Sequence, residues 1–167
     1  TGTQLPAEVD ADKALAAKLE AIRGAACVKM GFAKDPADAT ANSPAVPKVG
    51  FVTAPASFTD ISGKSVDASE MDVCARVISV FKCHKACPLT SASSISVAAF
   101  VPGTLVNELV ALKPGQQTVR IGHPSGVMTM SPYLDDPTKP LNDIVVSGVA
   151  VQRTARRIMD GTLYIRK

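Results

Sequence analysis

The sequence predicts a single α+β domain in which β-strands wrap a buried helix of small residues, and three patterns indicate this fold class. Residues 7–30 repeat apolar side chains at helical spacing, residues 90–100 are small or apolar almost throughout, and residues from 118 onward alternate with the period of a strand. Of the 167 residues, 46% are hydrophobic and 20% are charged, as in globular proteins that bury their own core. No repeat or long linker interrupts the chain, so we predict one domain over residues 1–167.

The first third of the chain predicts a helix, a loop and a strand. The helix covers residues 7–30 and ends near Gly31, because its apolar positions recur every three or four residues. Residues 35–47 are rich in Pro, Ala, Asp, Asn and Ser and lack a period, which is typical of a loop. A strand follows at residues 48–53. The apolar positions of the helix are Val9, Leu15, Leu19, Ile22 and Ala26.

The middle third predicts two further helices. After a turn at residues 61–64, Asp67 or Ser69 provides an N-cap for a second helix that ends near Lys82. Thr90 or Ser91 would cap a third helix, which runs to Phe100. Because that helix is small or apolar almost all round, we expect it to be buried. The apolar face of the second helix would be Met71, Cys74, Val77, Ile78 and Phe81.

The last third predicts a β-sheet. Strand patterns occur at residues 119–121, 127–130, 144–151 and 163–165. Asp160-Gly161, placed before the last of these, is the residue pair that favours a two-residue type I′ hairpin turn.

Charge and composition argue against several kinds of partner. The net charge is only +3, and the basic residues are scattered except near the end of the chain, where Arg153, Arg156, Arg157, Arg166 and Lys167 lie. Aromatic residues make up 4% and Trp is absent, so nucleic acid binding is disfavoured. The longest apolar runs, such as residues 95–101, are far shorter than the roughly 20 residues of a membrane span. We therefore expect neither nucleic acid nor membrane as a partner.

The four cysteines predict reduced thiols. Cys83 and Cys87 bracket His84, but a zinc site needs a second pair of ligands, and His123 is the one other histidine. We therefore predict no metal. Without a secretion signal at the start, four cysteines favour the cytoplasm or an organelle matrix. Because the sequence starts at Thr1 without an initiator methionine, we expect a fragment, a processed product or a subdomain.

The segment before the third helix is the first candidate site. Residues 83–91 lead into a helix N-terminus, where unpaired backbone N–H groups and the positive end of the helix dipole attract anions. His84 and Lys85 add cationic side chains and Thr90 and Ser91 add hydroxyls, so a small di- or tricarboxylate would fit here. The alternative is that Thr90 only caps the helix while His84 and Lys85 are solvated.

Cys87 is a candidate base for proton abstraction. The helix N-terminus and Lys85 would both lower the pKa of its thiol. The alternative is that Cys87 is a small buried hydrophobic residue.

A second candidate site is the turn Gly122-His123-Pro124-Ser125-Gly126, whose glycines and proline impose a tight backbone between two strands. His123 and Ser125 could contact a ligand there, or their polar groups could be satisfied within the turn. The sequence contains no G-x-S-x-G elbow, phosphate loop, H-E-x-x-H or dinucleotide-binding fingerprint.

Three ordered motifs resemble the PrpF family, which includes 2-methylaconitate isomerase, methylitaconate isomerase and oxalomesaconate tautomerase. They are Gly103-Thr104-Leu105-Val106-Asn107, the turn at residues 122–126, and the run Arg153-Thr154-Ala155-Arg156-Arg157-Ile158-Met159-Asp160-Gly161. The resemblance covers nearly all 167 residues and corresponds to the family's C-terminal half.

The resemblance implies a diaminopimelate epimerase-like fold, in which a curved, mostly antiparallel sheet wraps a central helix and the active site lies between two such domains. It also implies an isomerase or tautomerase that moves a proton on an aconitate-like di- or tricarboxylate without a cofactor or metal. The loop before the central helix would bind substrate, which adds Pro88 and Leu89 to His84, Lys85, Thr90 and Ser91 as substrate-binding candidates.

The resemblance also implies a missing partner. The lysine and the Gly-Asn-Cys-Gly-Asn-like motif to which the family's proton transfer is assigned belong to the N-terminal half, and this chain has neither. We therefore expect an N-terminal domain or a companion chain to supply them, and a homodimer is possible. The alternative function is a non-catalytic binding or assembly module that retains the fold.

Overall fold

A computed structural model describes residues 2–152 and 155–165. Its order of elements is three helices, five strands, two helices and three strands, with one turn of 3₁₀ helix in each half of the chain. The helices are α1 (Pro6–Ala11), α2 (Lys13–Lys29), α3 (Pro36–Asn42), α4 (Leu89–Phe100) and α5 (Leu105–Leu109). The strands are β1 (Val49–Thr53), β2 (Phe58–Thr59), β3 (Ser65–Val66), β4 (Val73–Ser79), β5 (Lys82–Cys83), β6 (Val119–His123), β7 (Gly126–Leu134) and β8 (Val146–Val151).

The main sheet has the strand order β1-β4-β6-β7-β8, with β5 paired to β4. Strands β4 and β6 run parallel, and the other pairs are antiparallel. Asp72 holds the parallel pair in register, because its buried carboxylate accepts hydrogen bonds from the backbone N–H and the guanidinium of Arg120. The mostly antiparallel sheet of the predicted fold class is therefore present.

Helix α4 packs on one face of this sheet against β6, β7 and β8. Its buried residues Ala92, Ser96 and Ala99 recur at helical spacing, and their small side chains let the helix approach the strands. The helix was predicted to be buried all round. The structure instead buries this single face and leaves Thr90 and Ser94 exposed on the other.

The predicted second helix is wrong, because residues 73–79 form strand β4. The sequence pattern is ambiguous here, since β4 is covered on both faces and shows apolar residues at almost every position. Val73, Ala75 and Val77 face the core beneath α4, while Cys74 packs with Phe58 in a second, smaller core. The predicted cap Asp67 does cap a helix, but only the 3₁₀ turn Ala68–Glu70.

Three other predictions need correction. The helix at residues 7–30 is two helices, because Asp12 accepts a hydrogen bond from Leu15 N–H at 2.9 Å and starts α2. The predicted loop at residues 35–47 contains α3, which Asp35 caps ahead of Pro36. Residues 160–165 form neither the predicted hairpin nor the last strand, and Arg153 and Thr154 of the third motif lie outside the described residues. The strand predictions near residues 48–53, 119–121, 127–130 and 144–151 are confirmed.

The motif at residues 103–107 fixes the C-terminal end of α4. Thr104 Oγ1 lies 2.6 Å from the carbonyl oxygen of Ala98, and Asn107 Nδ2 donates to the carbonyl of Ala99 at 2.8 Å. These side chains satisfy carbonyls that the end of a helix leaves unpaired. The motif therefore sets the position of α4, whose other end forms the candidate site. Within the described residues, no helix has the length and apolar character needed to cross a membrane.

Candidate functional site

The N-terminus of α4 carries no side-chain cap. Pro88 occupies the N-cap position, and the predicted capping by Thr90 or Ser91 is wrong because both lie inside the first turn. Their hydroxyls have no hydrogen-bond partner among the described residues, whereas Ser93 Oγ donates to the carbonyl of Leu89 at 2.9 Å. Thr90 and Ser91 are therefore free to bind a ligand beside the unpaired N–H groups of the helix start.

The loop before α4 folds onto strand β4 and onto itself. His84 N–H donates to the carbonyl of Val77 at 2.8 Å, which extends the pairing of β5 with β4. Ala86 N–H donates to Nδ1 of the exposed His84 ring at 3.1 Å, so this side chain is held against its own loop. Lys85 is exposed, and its ammonium makes no ion pair within the described residues.

The turn at residues 122–126 joins β6 to β7 and contacts the loop before α4. Ser125 Oγ donates a hydrogen bond to the carbonyl oxygen of Lys85. Ser125 N–H donates to Nδ1 of His123 at 3.2 Å. The two candidate segments, which are about 40 residues apart in sequence, are therefore in contact.

His123 is a neutral hydrogen-bond donor. Its side chain is buried, and burial together with the charges of Arg76 and His84 lowers its pKa to about 4. Because Nδ1 accepts from Ser125 N–H, the proton of the neutral ring lies on Nε2. No acceptor for this N–H is found in the described parts of the chain.

Cys87 lies in the core below α4. Its side chain is 4% exposed, and burial raises the pKa of the thiol to about 11. The pKa lowering expected from Lys85 and the helix N-terminus is therefore wrong, and Cys87 is a protonated thiol at neutral pH. It packs with apolar residues such as Ala92 and Ile121.

Two cavities flank the start of α4 and divide the predicted residues between them. One has a volume of about 480 Å³, and its lining includes His84, Cys87, Pro88 and Leu89. The other has a volume of about 610 Å³, and its lining includes Thr90 and Ser91 together with β1 and α5. Lys85, His123 and Ser125 line neither cavity.

Four polar residues at these cavities were not predicted from the sequence, among them Arg76 and Ser94, which line the larger cavity. Gln152, just after β8, lines the smaller cavity, and Lys48, just before β1, lines the larger one. Gln152 and Lys48 each lie one residue beyond a strand end, which is a signal too common to identify a site. No cluster of three His, Cys, Asp or Glu side chains suitable for a metal ion occurs in the part of the chain that the structure describes.

These observations define an α+β domain in which a small-residue helix packs on a mostly antiparallel sheet and begins, without a side-chain cap, between two cavities. The sequence matches the family described as "PrpF protein" over residues 1–166. The chain belongs to the PrpF family.

Similar proteins agree with this membership. The chain is 36% identical to "3-methylitaconate isomerase" of Eubacterium barkeri over 168 residues, which cover 100% of this chain and 42% of the relative. It is 36% identical to "2-methyl-aconitate isomerase" of Shewanella oneidensis over 100% of this chain and 41% of that protein. For "(4E)-oxalomesaconate Delta-isomerase" of Novosphingobium sp. strain KA1 the identity is 30%, over 99% of this chain and 40% of the relative.

A solved structure confirms the fold class. The crystal structure of "Methylitaconate-delta-isomerase" superposes with a TM-score of 0.79 at 32% identity, over 92% of this chain and 40% of that one. The diaminopimelate epimerase-like assignment is confirmed. The chain spans about two fifths of the length of the curated relatives it matches.

Proposed function

We propose that this chain supplies the C-terminal half of an isomerase active site that moves a proton on an aconitate-like unsaturated di- or tricarboxylate. The change would be a double-bond shift or a cis–trans conversion. Relatives named as isomerases of 3-methylitaconate, 2-methylaconitate and oxalomesaconate support this reaction class. In this proposal residues 1–167 correspond to the C-terminal domain of a two-domain enzyme.

The uncapped N-terminus of α4 is the observation that carries the proposal. The first turn offers unpaired N–H groups and the free hydroxyls of Thr90 and Ser91, and cavities lie on both sides of it. A carboxylate accepts hydrogen bonds from such donors and is favoured by the helix dipole. His84 and Lys85 add exposed cationic or hydrogen-bonding groups nearby, and Pro88 and Leu89 shape the wall of the smaller cavity.

The proposed chemistry needs donors that stabilise negative charge on oxygen. A base removes a proton from a carbon conjugated with the bound carboxylate, and the electron pair spreads into an enediolate-like anion. An acid then returns a proton to a different carbon, so the product is an isomer and no oxidant or cofactor takes part. The helix N–H groups and the Thr90 and Ser91 hydroxyls would bind the anion's oxygens.

The base and the acid would come from outside this chain. Cys87 is protonated and buried, so its candidacy as the base gains nothing from the structure. By resemblance, an N-terminal domain or companion chain would carry the catalytic lysine and cysteine, and a homodimer is a further possible assembly. All four cysteines are unpaired, which supports a reducing compartment such as the cytoplasm or an organelle matrix.

A binding experiment tests the carboxylate site without requiring turnover. Titration calorimetry would measure the affinity of the 167-residue chain for cis-aconitate and methylitaconate. The double variant Thr90→Val/Ser91→Ala removes two donors to a charged group, so we expect binding to weaken at least about tenfold. Ser93→Ala is the matched control, because its hydroxyl is already bonded to Leu89 and should leave affinity unchanged.

The outcomes separate the proposed enzyme from the alternative module. Equal affinity in the wild type and the double variant would show that the carboxylate does not bind at the start of α4. An enzyme completed by its other half should shift the ultraviolet absorbance of cis-aconitate or a methylated analogue. A non-catalytic module should bind no carboxylate, with or without a companion chain.

A further inference from the structure

Arg76, in the middle of β4, is a buried cation without a counter-charge in the described residues. Its relative exposure is 0%, and burial lowers the pKa of its guanidinium. Nε donates to the carbonyl of Gln4 at 2.7 Å, and Nη1 donates to the carbonyl of Ala75 at 2.9 Å. Nη2 has no hydrogen-bond partner, and no carboxylate of the described residues forms an ion pair with this side chain. Such a charge is costly to bury unless an anion neutralises it.

Three side chains that lie near Arg76 are uncharged. The guanidinium carbon lies 5.0 Å from the centre of the Phe58 ring, a favourable contact that brings no net negative charge. Burial raises the pKa of the Cys83 thiol to about 11, so this thiol is protonated at neutral pH. The Cys74 thiol donates to the carbonyl of Ala56 at 3.6 Å and therefore also carries its proton. None of these neighbours balances the charge of the guanidinium.

Thr53, at the end of β1, is a second buried polar group without a partner. Its Oγ1 is inaccessible to solvent and makes no hydrogen bond within the described residues. Thr53 pairs with Cys74, and Arg76 lies two residues further along β4, so the Thr53 and Arg76 side chains are diagonal neighbours on one face of the sheet. Ala75 and Val77, the alternate residues of β4, face the core beneath α4. The pair is therefore separate from the proposed carboxylate site at the start of α4.

Residues 2–5 cover both of these polar groups. A Cβ added to Gly2 would collide with Thr53 Oγ1, so the backbone of Gly2 lies directly against this hydroxyl. The carbonyl of Gln4 lies against the guanidinium of Arg76, from which it accepts a hydrogen bond. Because this segment shuts out solvent, a ligand of the two groups must be small and must enter when the segment opens.

We propose that Arg76 and Thr53 bind a small monovalent inorganic anion, of the size of chloride, beneath residues 2–5. The N–H groups of Nη2 and the Thr53 hydroxyl donate to this anion, and its charge neutralises the guanidinium. A water molecule would satisfy the same donors but would leave the buried charge unbalanced. Because both donor atoms are inaccessible to solvent, the site favours a single-atom anion over a polyatomic one.

Thermal unfolding of the 167-residue chain tests the anion site. Sodium chloride replaces sodium gluconate at constant ionic strength, because gluconate is too large for a closed site. A ligand that binds only the folded state stabilises it in proportion to the logarithm of its concentration, once that concentration exceeds Kd. Each further tenfold rise in chloride should therefore raise the Tm by about 3–6 °C. Bromide should act like chloride.

Variants assign the chloride response to this site. Arg76→Met removes the charge but keeps a long apolar side chain, so its Tm should not respond to chloride. Thr53→Val keeps the shape but removes one donor to a charged group, so the Kd for chloride should rise at least about tenfold. Thr59→Val makes the same change at an exposed position of β2 and should respond like the wild type. Thr90→Val/Ser91→Ala, at the start of α4, should also respond like the wild type.

Three results would overturn the anion site. Equal Tm values in chloride and gluconate would show that the wild type binds no small anion. An unchanged Kd for chloride in Thr53→Val would place the ion elsewhere. A response that disappears in Thr90→Val/Ser91→Ala would place the ion at the start of α4. If Arg76→Met does not fold, the comparison of Thr53→Val with Thr59→Val decides alone, because general salt effects act on both variants equally.

Discussion

Replacing Thr104 by Val tests whether the motif at residues 103–107 anchors α4. The Thr104 hydroxyl lies 2.6 Å from the carbonyl oxygen of Ala98 and accepts a hydrogen bond from Asn107 N–H at 3.1 Å. Valine has nearly the same shape but neither donates nor accepts. The substitution therefore removes the N-cap of α5 and one cap of the last turn of α4 while leaving packing almost unchanged.

The expected cost follows from these two hydrogen bonds. Loss of a threonine N-cap costs about 1 kcal/mol, and loss of the bond to the Ala98 carbonyl costs about 1 kcal/mol more. A combined loss of about 2 kcal/mol corresponds to a fall in Tm of roughly 4–8 °C for a domain of this size. In urea, the midpoint should fall by about 1 M.

Thermal and urea unfolding followed by circular dichroism would measure this loss. Thr104→Ser is the matched control, because it keeps the hydroxyl and removes one methyl group, which costs less than about 1 kcal/mol. The reasoning is refuted if Thr104→Val is no less stable than Thr104→Ser. It is also refuted if Thr104→Val lowers the free energy of unfolding by less than about 0.5 kcal/mol, the usual range of neutral surface changes.

Three further predictions concern the site itself. The pKa of His123 falls from 6.5 to about 4 on folding, so the stability that this residue contributes is present above pH 6.5 and is lost as pH falls toward 4. In His123→Gln the urea midpoint should therefore change less between pH 7 and pH 5 than in the wild type. An NMR titration midpoint of His123 near pH 6.5 would contradict the lowered pKa. In Gly122→Ala the new Cβ would lie 2.4 Å from Met71 Sδ, so the free energy of unfolding should fall by about 1–3 kcal/mol. Gly161→Ala, with nothing within 4 Å of the new Cβ, should unfold like the wild type; equal stabilities of the two alanine variants would exclude the clash. With a pKa of about 11, Cys87 is about one thousandth thiolate at pH 8, so iodoacetamide should label it at least a hundredfold more slowly in the native than in the unfolded chain; comparable rates would show that the thiol is accessible.

The sequence predicted those elements whose pattern has a single structural meaning. In residues 126–134 more and less buried positions alternate along an antiparallel strand, and α4 has a face of small residues. Both elements can therefore be predicted from the sequence. Strand β4 is not, because a strand buried on both faces loses its period of two and then resembles one side of a helix. Here parallel pairing with β6, a contact between residues far apart in sequence, decides the structure.

The break between α1 and α2 shows a different limit. Asp12 interrupts a continuous helical pattern, and its side chain can either stay in a helix or cap a new one. The packing of α1 against β5 favours the cap, since Asp10 accepts a hydrogen bond from Cys83 N–H at 2.8 Å. Such a choice depends on tertiary contacts that no local window of sequence contains.

The candidate site was predicted as two separate segments, and only the fold joins them. The bond from Ser125 to the carbonyl of Lys85 spans 40 residues and uses a hydroxyl and a backbone group that every sequence offers in abundance. The protonation states were also beyond the sequence. Cys87 and His123 differ from their expected behaviour because burial penalises the charged form of each group, and burial is a property of the assembled fold.

These protonation states agree with the proposal that this chain supplies only part of an active site. His123 presents an uncharged N–H, Cys87 keeps its proton, and the start of α4 offers hydroxyls and N–H groups, so these groups donate hydrogen bonds. A donor set of this kind lowers the energy of an enediolate-like anion but does not generate one. If this chain forms part of an isomerase, as proposed above, the base would therefore be expected from outside this donor set.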